Sequence, residues 1–494
     1  MMAMGFSPYI FVSPSFFPAS SNGGFPLATL ETPLFFHVNC CGISCGEIPT
    51  EIFNLTNLRS LDISRNNFSG HFPGGISGLR NLVVLDAFSN SFSGPLPVEL
   101  SELEFLKVLN LAGSYFNGPI PSAYGSFKRL EFLHLAGNFL SGNIPPELSN
   151  LQTVTHMEIG YNSYEGSIPW QLGNMSELQY LDIAGANLSG SIPRQLSNLT
   201  KLQSLFLFRN QFTGLIPWEF SRILPLTNLD LSDNSISGPT PESFAELENL
   251  RLLSLMYNEM NGNVPDTIAE LPSLDTLFIW NNVFTGSHPR DLGKNSKLRW
   301  LDVSSYSFIG SIPPHICAGG QLFKLILFSN KFTVNLSPLS NCSSLVRIRL
   351  EDNSFSGEIP LMLKNIPDVT YIDLSRKRSC KPMLVVELQA NNMSGVVPKS
   401  ISNCKALEVI NLASNQLSGH IPEELACLPA LSDVDLSHNN FRGSIPGEFS
   451  TAISCSLQSS AAYRNYSFGE KDRMGAKEKE GCLRIHNTDG KCKA

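Results

Sequence analysis

Residues 61–73, LDISRNNFSGHFP, return 24 positions later as LDAFSNSFSGPLP at 85–97. The same figure reappears as LHLAGNFLSGNIP at 133–145, LFLFRNQFTGLIP at 205–217 and LDLSDNSISGPTP at 229–241. With the Asn of L-x-L-x-x-N as phase marker, the series runs Asn66, Asn90, Ser114, Asn138, Asn162, Ala186, Asn210, Asn234, Asn258, Asn282, Tyr306, Asn330, Asn353 and Lys377. Each step is 24 residues except the 23 between Asn330 and Asn353, and further markers stand at Asn391, Asn415 and Asn439. Chance does not hold such a phase over most of a 494-residue chain.

A fixed period of this length with an L-x-L-x-x-N core is the pattern of leucine-rich repeats, about 17 units in all. The expected fold is an α/β solenoid of plant-type repeats. It has a parallel β-sheet on the concave face and 3-10 or irregular chain on the convex side. L-x-L alternates as a strand requires, so its leucines enter a core shared with neighbouring turns. The marker Asn is expected to bond backbone groups of the turn that leaves the strand, forming a ladder. The hydrophobe two residues on (Phe68, Phe92, Phe116, Phe212, Phe284, Phe308, Phe332, Phe355, Phe441) stacks on its equivalents. The Gly that follows permits a backbone geometry other residues resist, and the Pro of G-x-I-P fixes the next bend. One unit cannot bury its apolar face alone, so a length that would suggest several domains reads as one stacked array.

The pattern breaks in three places. Residues 1–45 carry one charged side chain, Glu31, and Pro8, Pro14 and Pro18 interrupt an apolar start that makes a poor secretory signal. This segment reads as a degenerate N-terminal stretch or cap remnant, followed by a solenoid over 46–376. Lys377 and Asn391 are 14 residues apart, ten short of a turn. Residues 377–390 therefore read as a disrupted junction left by a deletion, with C-terminal repeats over 391–449. Residues 450–494 lose the repeat and are expected to be a disordered tail.

Composition narrows the function. The net charge is −8, so no polycationic face for nucleic acid is expected. Charged residues make up 16% of the chain, low for a cytosolic enzyme, and no apolar run approaches the roughly eighteen residues of a membrane-spanning helix. Eleven Cys are present, with Cys40, Cys41 and Cys45 where a disulfide-sealed cap would lie. Nine sequons, at Asn54, Asn67, Asn174, Asn187, Asn198, Asn335, Asn341, Asn392 and Asn465, point to an extracellular setting. Nucleotide-binding, kinase, hydrolase and metalloprotease motifs are absent, and no metal or cofactor is expected. Asp62, Asp86, Asp182, Asp230, Asp302, Asp373 and Asp435 share one column, read as solvated spacers rather than paired catalytic carboxylates.

A binding surface remains. Positions four, two and one before each marker are free to vary, and the middle turns carry Phe206, Phe208, Arg209, Asp230, Asp233, Tyr257, Phe278, Trp280, Asp302, Ser304 and Phe328, joined by Trp300. Exposed aromatics along one ribbon suggest a recognition face. In LVRIRLEDN, Arg347 and Arg349 lie two apart, so both guanidinium groups project from one face and suit a single carboxylate such as a peptide C-terminus. The competing reading pairs them with Glu351 or Asp352.

With its Phe-rich G-x-I-P unit, the chain resembles the plant leucine-rich-repeat receptor kinases over roughly 46–376 and 384–447. Gly113-Ser114-Tyr115-Phe116, HMEIGYNSYEG, LFIWNN and KLILFSN look like the CLE-peptide receptor subfamily, which includes the receptor for tracheary element differentiation inhibitory factor. The resemblance implies a small secreted peptide as ligand, with Gly113, Ser114, Tyr115, Phe116, Phe208, Asp230, Tyr257, Trp280, Asp302 and Ser304 along its path. Arg347 and Arg349 match the pair that such receptors set against the peptide's terminal carboxylate. It also implies a co-receptor kinase with a short ectodomain and a location at the extracellular face of the plasma membrane. A transmembrane helix and kinase, which such receptors have, are missing here. From the turn of Ser114 to that of Asn353 is about 48 Å at ~4.8 Å per strand. A twelve-residue extended peptide spans about 40 Å. Two other readings stand beside this one: a protein-binding scaffold resembling the polygalacturonase inhibitors, and a truncated product without function.

Overall fold

The computed structural model describes residues 10–12, 35–38, 46–295, 297–304, 308–342, 344–357, 385–399, 401, 407–446 and 454–456. They fall into two compact units, Met1–Leu250 with Tyr257–Glu259, and Arg251–Met256 with Met260–Ala494.

In the first unit, three-residue strands follow one another in parallel register. They are Ser60–Asp62, Val84–Asp86, Val108–Asn110, Phe132–His134, His156–Glu158, Tyr180–Asp182, Ser204–Phe206 and Asn228–Asp230. The second unit repeats the scheme with Leu252–Ser254, Thr276–Phe278, Trp300–Asp302, Lys324–Ile326, Arg347–Arg349, Val385–Glu387, Val409–Asn411 and Asp433–Asp435. The central residue of nearly every strand is a fully buried Leu, Ile, Val or Met, as alternation requires. Opposite the strands, five-residue 3-10 helices such as Val98–Glu102 and Pro146–Asn150 each close a turn after a Pro in extended conformation.

The marker amide ties the turns together. Asn138 is buried; its Oδ1 accepts from the Phe116 amide at 3.1 Å, and its Nδ2 donates to the carbonyls of Leu111 and Leu135 at 3.0 Å. Asn90, Asn162, Asn210, Asn330, Asn391, Asn415 and Asn439 repeat this set of bonds, each reaching one turn back. Stacked rings run alongside: Phe68–Phe92–Phe116 at 6.3 and 5.9 Å in the first unit, Phe308–Phe332–Phe355 at 6.5 and 5.9 Å in the second.

Three features lie beyond the sequence reading. First, the residue before each described marker takes a left-handed conformation whatever its type, from Tyr161 at φ +51° to Gly113 at +67°. Second, the hydrophobe–Ser–Gly segments pair into short lateral sheets, one of them joining Ser69–His71, Ser91–Pro95, Tyr115–Gly118, Phe139–Asn143 and Ser163–Glu165. Third, Cys317 and Cys342 form a disulfide between successive turns, with Cα atoms 5.3 Å apart. Cys40, Cys41 and Cys45 lie outside the described residues.

The breaks also differ from expectation. Strand Arg347–Arg349 pairs directly with Val385–Glu387, and Asn391 bonds Phe355 and Leu350 of the Asn353 turn across a marker step of 38 residues. Read as one 24-residue turn, that step carries 14 extra residues (38 − 24), not a deletion of ten. The disrupted stretch therefore ends before Val385 rather than at 390. Ser454–Ser456 pairs with Asp433–Asp435, so a further rung forms inside the segment expected to be tail. Phe35–Val38 pairs with Ser60–Asp62, and Ile10–Val12 with Phe35–Val38, so the N-terminal stretch also contributes strands.

Val334 occupies the position that other turns give to glycine, at φ +70° and with its side chain exposed. A β-branched residue is strained there. Val334→Gly should raise stability by about 1 kcal/mol, the relief of ~1–2 kcal/mol of strain less the extra freedom of glycine in the unfolded chain. A urea midpoint at or below that of the parent chain would contradict this.

Candidate functional site

On each strand the residues five and three before the marker face the core, and those six, four and two before it lie on the opposite side, the last of them still buried in several turns, as at Ala184, Ser232 and Ser304. The sequence reading took positions four, two and one and missed the sixth as a column, because the strand starts one residue ahead of the first Leu. Extending the period-two alternation one step upstream would have found it.

The Asp column is not a row of solvated spacers. In Asp62, Asp86, Asp182, Asp230, Asp302 and Asp435, Oδ1 accepts from the amide two residues on, at 2.8–3.2 Å. Each carboxylate thus closes a turn at the strand's exit, and Asn110 and Asn411 do the same with an amide oxygen. Asp373 lies outside the described residues.

In the first unit the group Gly113-Ser114-Tyr115-Phe116 does not meet on the strand-lined face. Phe116 is fully buried in the ring stack, and Ser114 is 5% exposed with its hydroxyl buried and unpartnered. Tyr115 is exposed, but on the lateral strand Tyr115–Gly118, where it stacks on Phe139 at 5.8 Å. Of the four, Gly113 and Tyr115 are exposed, and the chain turns away from the strand-lined face at the marker between them. Phe208 and Asp230 do lie on this face, Phe208 edge-on to Phe206 and Tyr161. Tyr257 is exposed.

The same unit carries a cluster that sequence reasoning missed. Phe132, His156 and Tyr180, register neighbours in the sixth column, stack in parallel at 4.6 and 4.1 Å. His156 Nε2 and Glu158 Oε1 are 2.5 Å apart, and His134 Nε2 lies 3.4 Å from Glu158 Oε2. The His156 hydrogen bond holds the Glu158 carboxyl below its usual range. Burial lowers His134, raises Asp182 and pushes Tyr180 up to about 12.

In the second unit, Arg347 and Arg349 project together with Ile348 buried between them, as the alternation requires. Arg349 pairs with Glu351 and stacks over Phe328, its Cζ 4.2 Å from the ring centroid. The competing pairing is therefore present for one arginine of the two. Phe278 packs edge-on against Trp300 at 4.7 Å, and Lys324 Nζ lies 3.8 Å from the Trp300 ring centroid. Among the described residues, Arg347 Nε and Trp300 Nε1 are buried donors without a hydrogen-bond partner. Asp302 is half-buried, its carboxyl raised by burial. Ser304 is 4% exposed and spends both its amide and its hydroxyl on Asp302, so it supports that carboxylate. Trp280 is half-buried in the same face.

Sequon residues Asn54, Asn67, Asn174, Asn187, Asn198, Asn335 and Asn392 are exposed. The Asn187 amide donates to the Tyr164 carbonyl, a bond that a glycan there would displace. Nothing is described of the Asn341 side chain or of Asn465. Among the described residues, no helix is long and apolar enough to cross a membrane, and no group of three His, Cys, Asp or Glu could hold a metal ion.

A family model described as a leucine-rich repeat region matches residues 87–288, and leucine-rich-repeat models match 57–79 and 385–441. The crystal structure of a TDR receptor is 42% identical, covers 85% of this chain and 82% of its own, and has a TM-score of 0.64. The Arabidopsis receptor kinase HAESA, solved with the peptide hormone IDA and the co-receptor SERK1, is 34% identical over 83% of this chain and 76% of its own, with a TM-score of 0.67. Receptor-like protein 36 of Arabidopsis thaliana is 35% identical over 86 residues, and this chain spans 12% of that protein's length.

The Glu158 pairings have a testable sign. A carboxyl lowered by folding stabilises above its unfolded value of about 4.3, and that contribution fades as pH falls through the folded value. Glu158→Gln should therefore lower the urea midpoint at pH 7 and pH 5, with the gap to the parent chain closing toward pH 2. An equal gap at every pH would contradict the role given to the carboxylate.

Proposed function

Because this chain belongs to the family of plant leucine-rich-repeat receptor ectodomains, we propose that it is a receptor-like module that binds a small secreted peptide of CLE type on its strand-lined face. Arg347 and Arg349 receive the peptide's free C-terminal carboxylate. One observation carries the reading: two arginines on one strand face, beside a wall of Phe278, Trp300 and Phe328, with N–H donors of Arg347 and Trp300 left without acceptors. A buried donor without a partner costs roughly 1–3 kcal/mol. A site holding two of them is built to gain from an acceptor that arrives with a ligand. A carboxylate supplies two oxygens in the plane that a guanidinium matches.

Further support comes from relatives. HAESA is solved with a peptide hormone and a co-receptor, and the ectodomain of GASSHO1/SCHENGEN3, a membrane receptor kinase 30% identical to this chain, is solved with CASPARIAN STRIP INTEGRITY FACTOR 2. On the same reading the chain acts outside the cell, its exposed sequons carry glycans, and a co-receptor kinase with a short ectodomain is its second partner. The disulfide between Cys317 and Cys342 fits an oxidising compartment. Gly113, Phe208, Asp230, Tyr257, Trp280 and Asp302 remain candidates for contact with the rest of the peptide.

Calorimetric titration of the glycosylated chain with a twelve-residue CLE-type peptide tests this, using the free acid and the C-terminal amide. The acid should bind at least tenfold more tightly. Arg347→Ala/Arg349→Ala should remove that difference, since charged hydrogen bonds are worth about 1.5–3 kcal/mol. No binding of either peptide by folded protein would overturn the proposal.

A further inference from the structure

The two arginines are not equivalent, and a third cation stands beside one of them. Lys324 and Arg347 are register partners on neighbouring parallel strands, which sets like charges side by side at about 4.8 Å of strand spacing. In the column they share, the register neighbours on either side are Trp300 and Val385, neither of them a carboxylate. Arg349 sits in the next column under different conditions. Glu351 pairs with it, and the Phe328 ring lies against it.

Lys324 leans away from Arg347. Its ammonium rests on the Trp300 ring, the neighbour on the opposite side, a cation–π contact that holds the stem in place without neutralising the charge. Burial, and after it the charge of Arg347, lowers the ammonium's pKa. Trp300 Nε1 and Arg347 Nε, both buried donors without a hydrogen-bond partner, belong to the residues on either side of Lys324. Buried donors without acceptors thus flank Lys324, while Glu351 pairs with Arg349 and the charges of both arginines act on Asp302.

From this placement we infer that the ligand carboxylate received by Arg347 and Arg349 is also met by Lys324, the register partner of Arg347, with Trp300 as a further donor. An anion placed there relieves the repulsion between two cations and meets the orphaned N–H groups together. The inference rests on the peptide-carboxylate reading above and adds to it a specificity residue outside the R-x-R pair.

The test is an acid-versus-amide titration with the twelve-residue CLE-type peptide, run on the intact glycosylated chain and on Lys324→Met, Lys324→Arg and Arg347→Ala. Lys324→Met keeps a long stem over Trp300 and should weaken binding of the free acid about tenfold or more while leaving the amide unchanged. Lys324→Arg should restore the preference, which separates loss of charge from loss of fold, and matched thermal midpoints check the same point. Should Lys324→Met keep the parent ratio of acid to amide affinity while Arg347→Ala loses it, the role of Lys324 is overturned and peptide reception stands. If the parent chain shows no preference for the acid, both fall.

Discussion

Everything in this molecule depends on the buried amide of the marker Asn. A three-residue strand cannot hold a sheet by itself, and leucine packing between turns is not directional. The Asn side chain supplies direction. One oxygen and two N–H groups bond a backbone amide one turn back and carbonyls of two turns, so each turn is closed and placed on its neighbour by the same residue. Buried carbonyls left without donors would cost more than such bonds contribute net, which makes the position intolerant of most replacements. Where Ser114 stands instead, its hydroxyl is buried without a partner. At Ala186 the main-chain carbonyl takes over part of the role, accepting at 3.1 Å from the Tyr164 amide that a marker Oδ1 would otherwise receive.

The fold was legible because its determinants recur. A 24-residue phase gives the stacking, L-x-L the strands, the Phe column the ring stack, and Gly and Pro the bends. The lateral sheets and the left-handed residue before each marker were not legible. The first arises from backbone pairing that leaves little trace in side-chain pattern, and the second is imposed by the turn on residues as different as Tyr161, Arg209 and Asp233. The Cys317–Cys342 pair escaped notice since its members lie 25 apart in sequence, one repeat plus one residue, with no motif around them.

The candidate site was legible in part. Arg347 and Arg349 emerged from simple alternation, and their shared face follows from it. Ser114, Phe116 and Ser304 came from position in the repeat or from resemblance, and both fail to report whether a side chain is turned inward; these three are buried. The sixth column, with Phe132, His156, Tyr180 and Lys324, was missed because the strand begins before the first Leu of L-x-L. The aspartates look alike in sequence yet do chain-reversal work through their amide partners. Their burial, and thus their raised pKa at Asp86, Asp182 and Asp302, depends on neighbours from other turns.

The direct pairing of Arg347 with Val385 across a 38-residue step has an evolutionary reading. Position along the recognition face is counted in rungs, and a rung is defined by its strand and marker rather than by the length of chain that returns to the start of the next. Insertions in the return path therefore leave every column in register on both sides of the event. Such a protein can acquire or lose chain between strands without moving a contact residue sideways. A residue lost from the strand itself would flip its outward and inward sets at once.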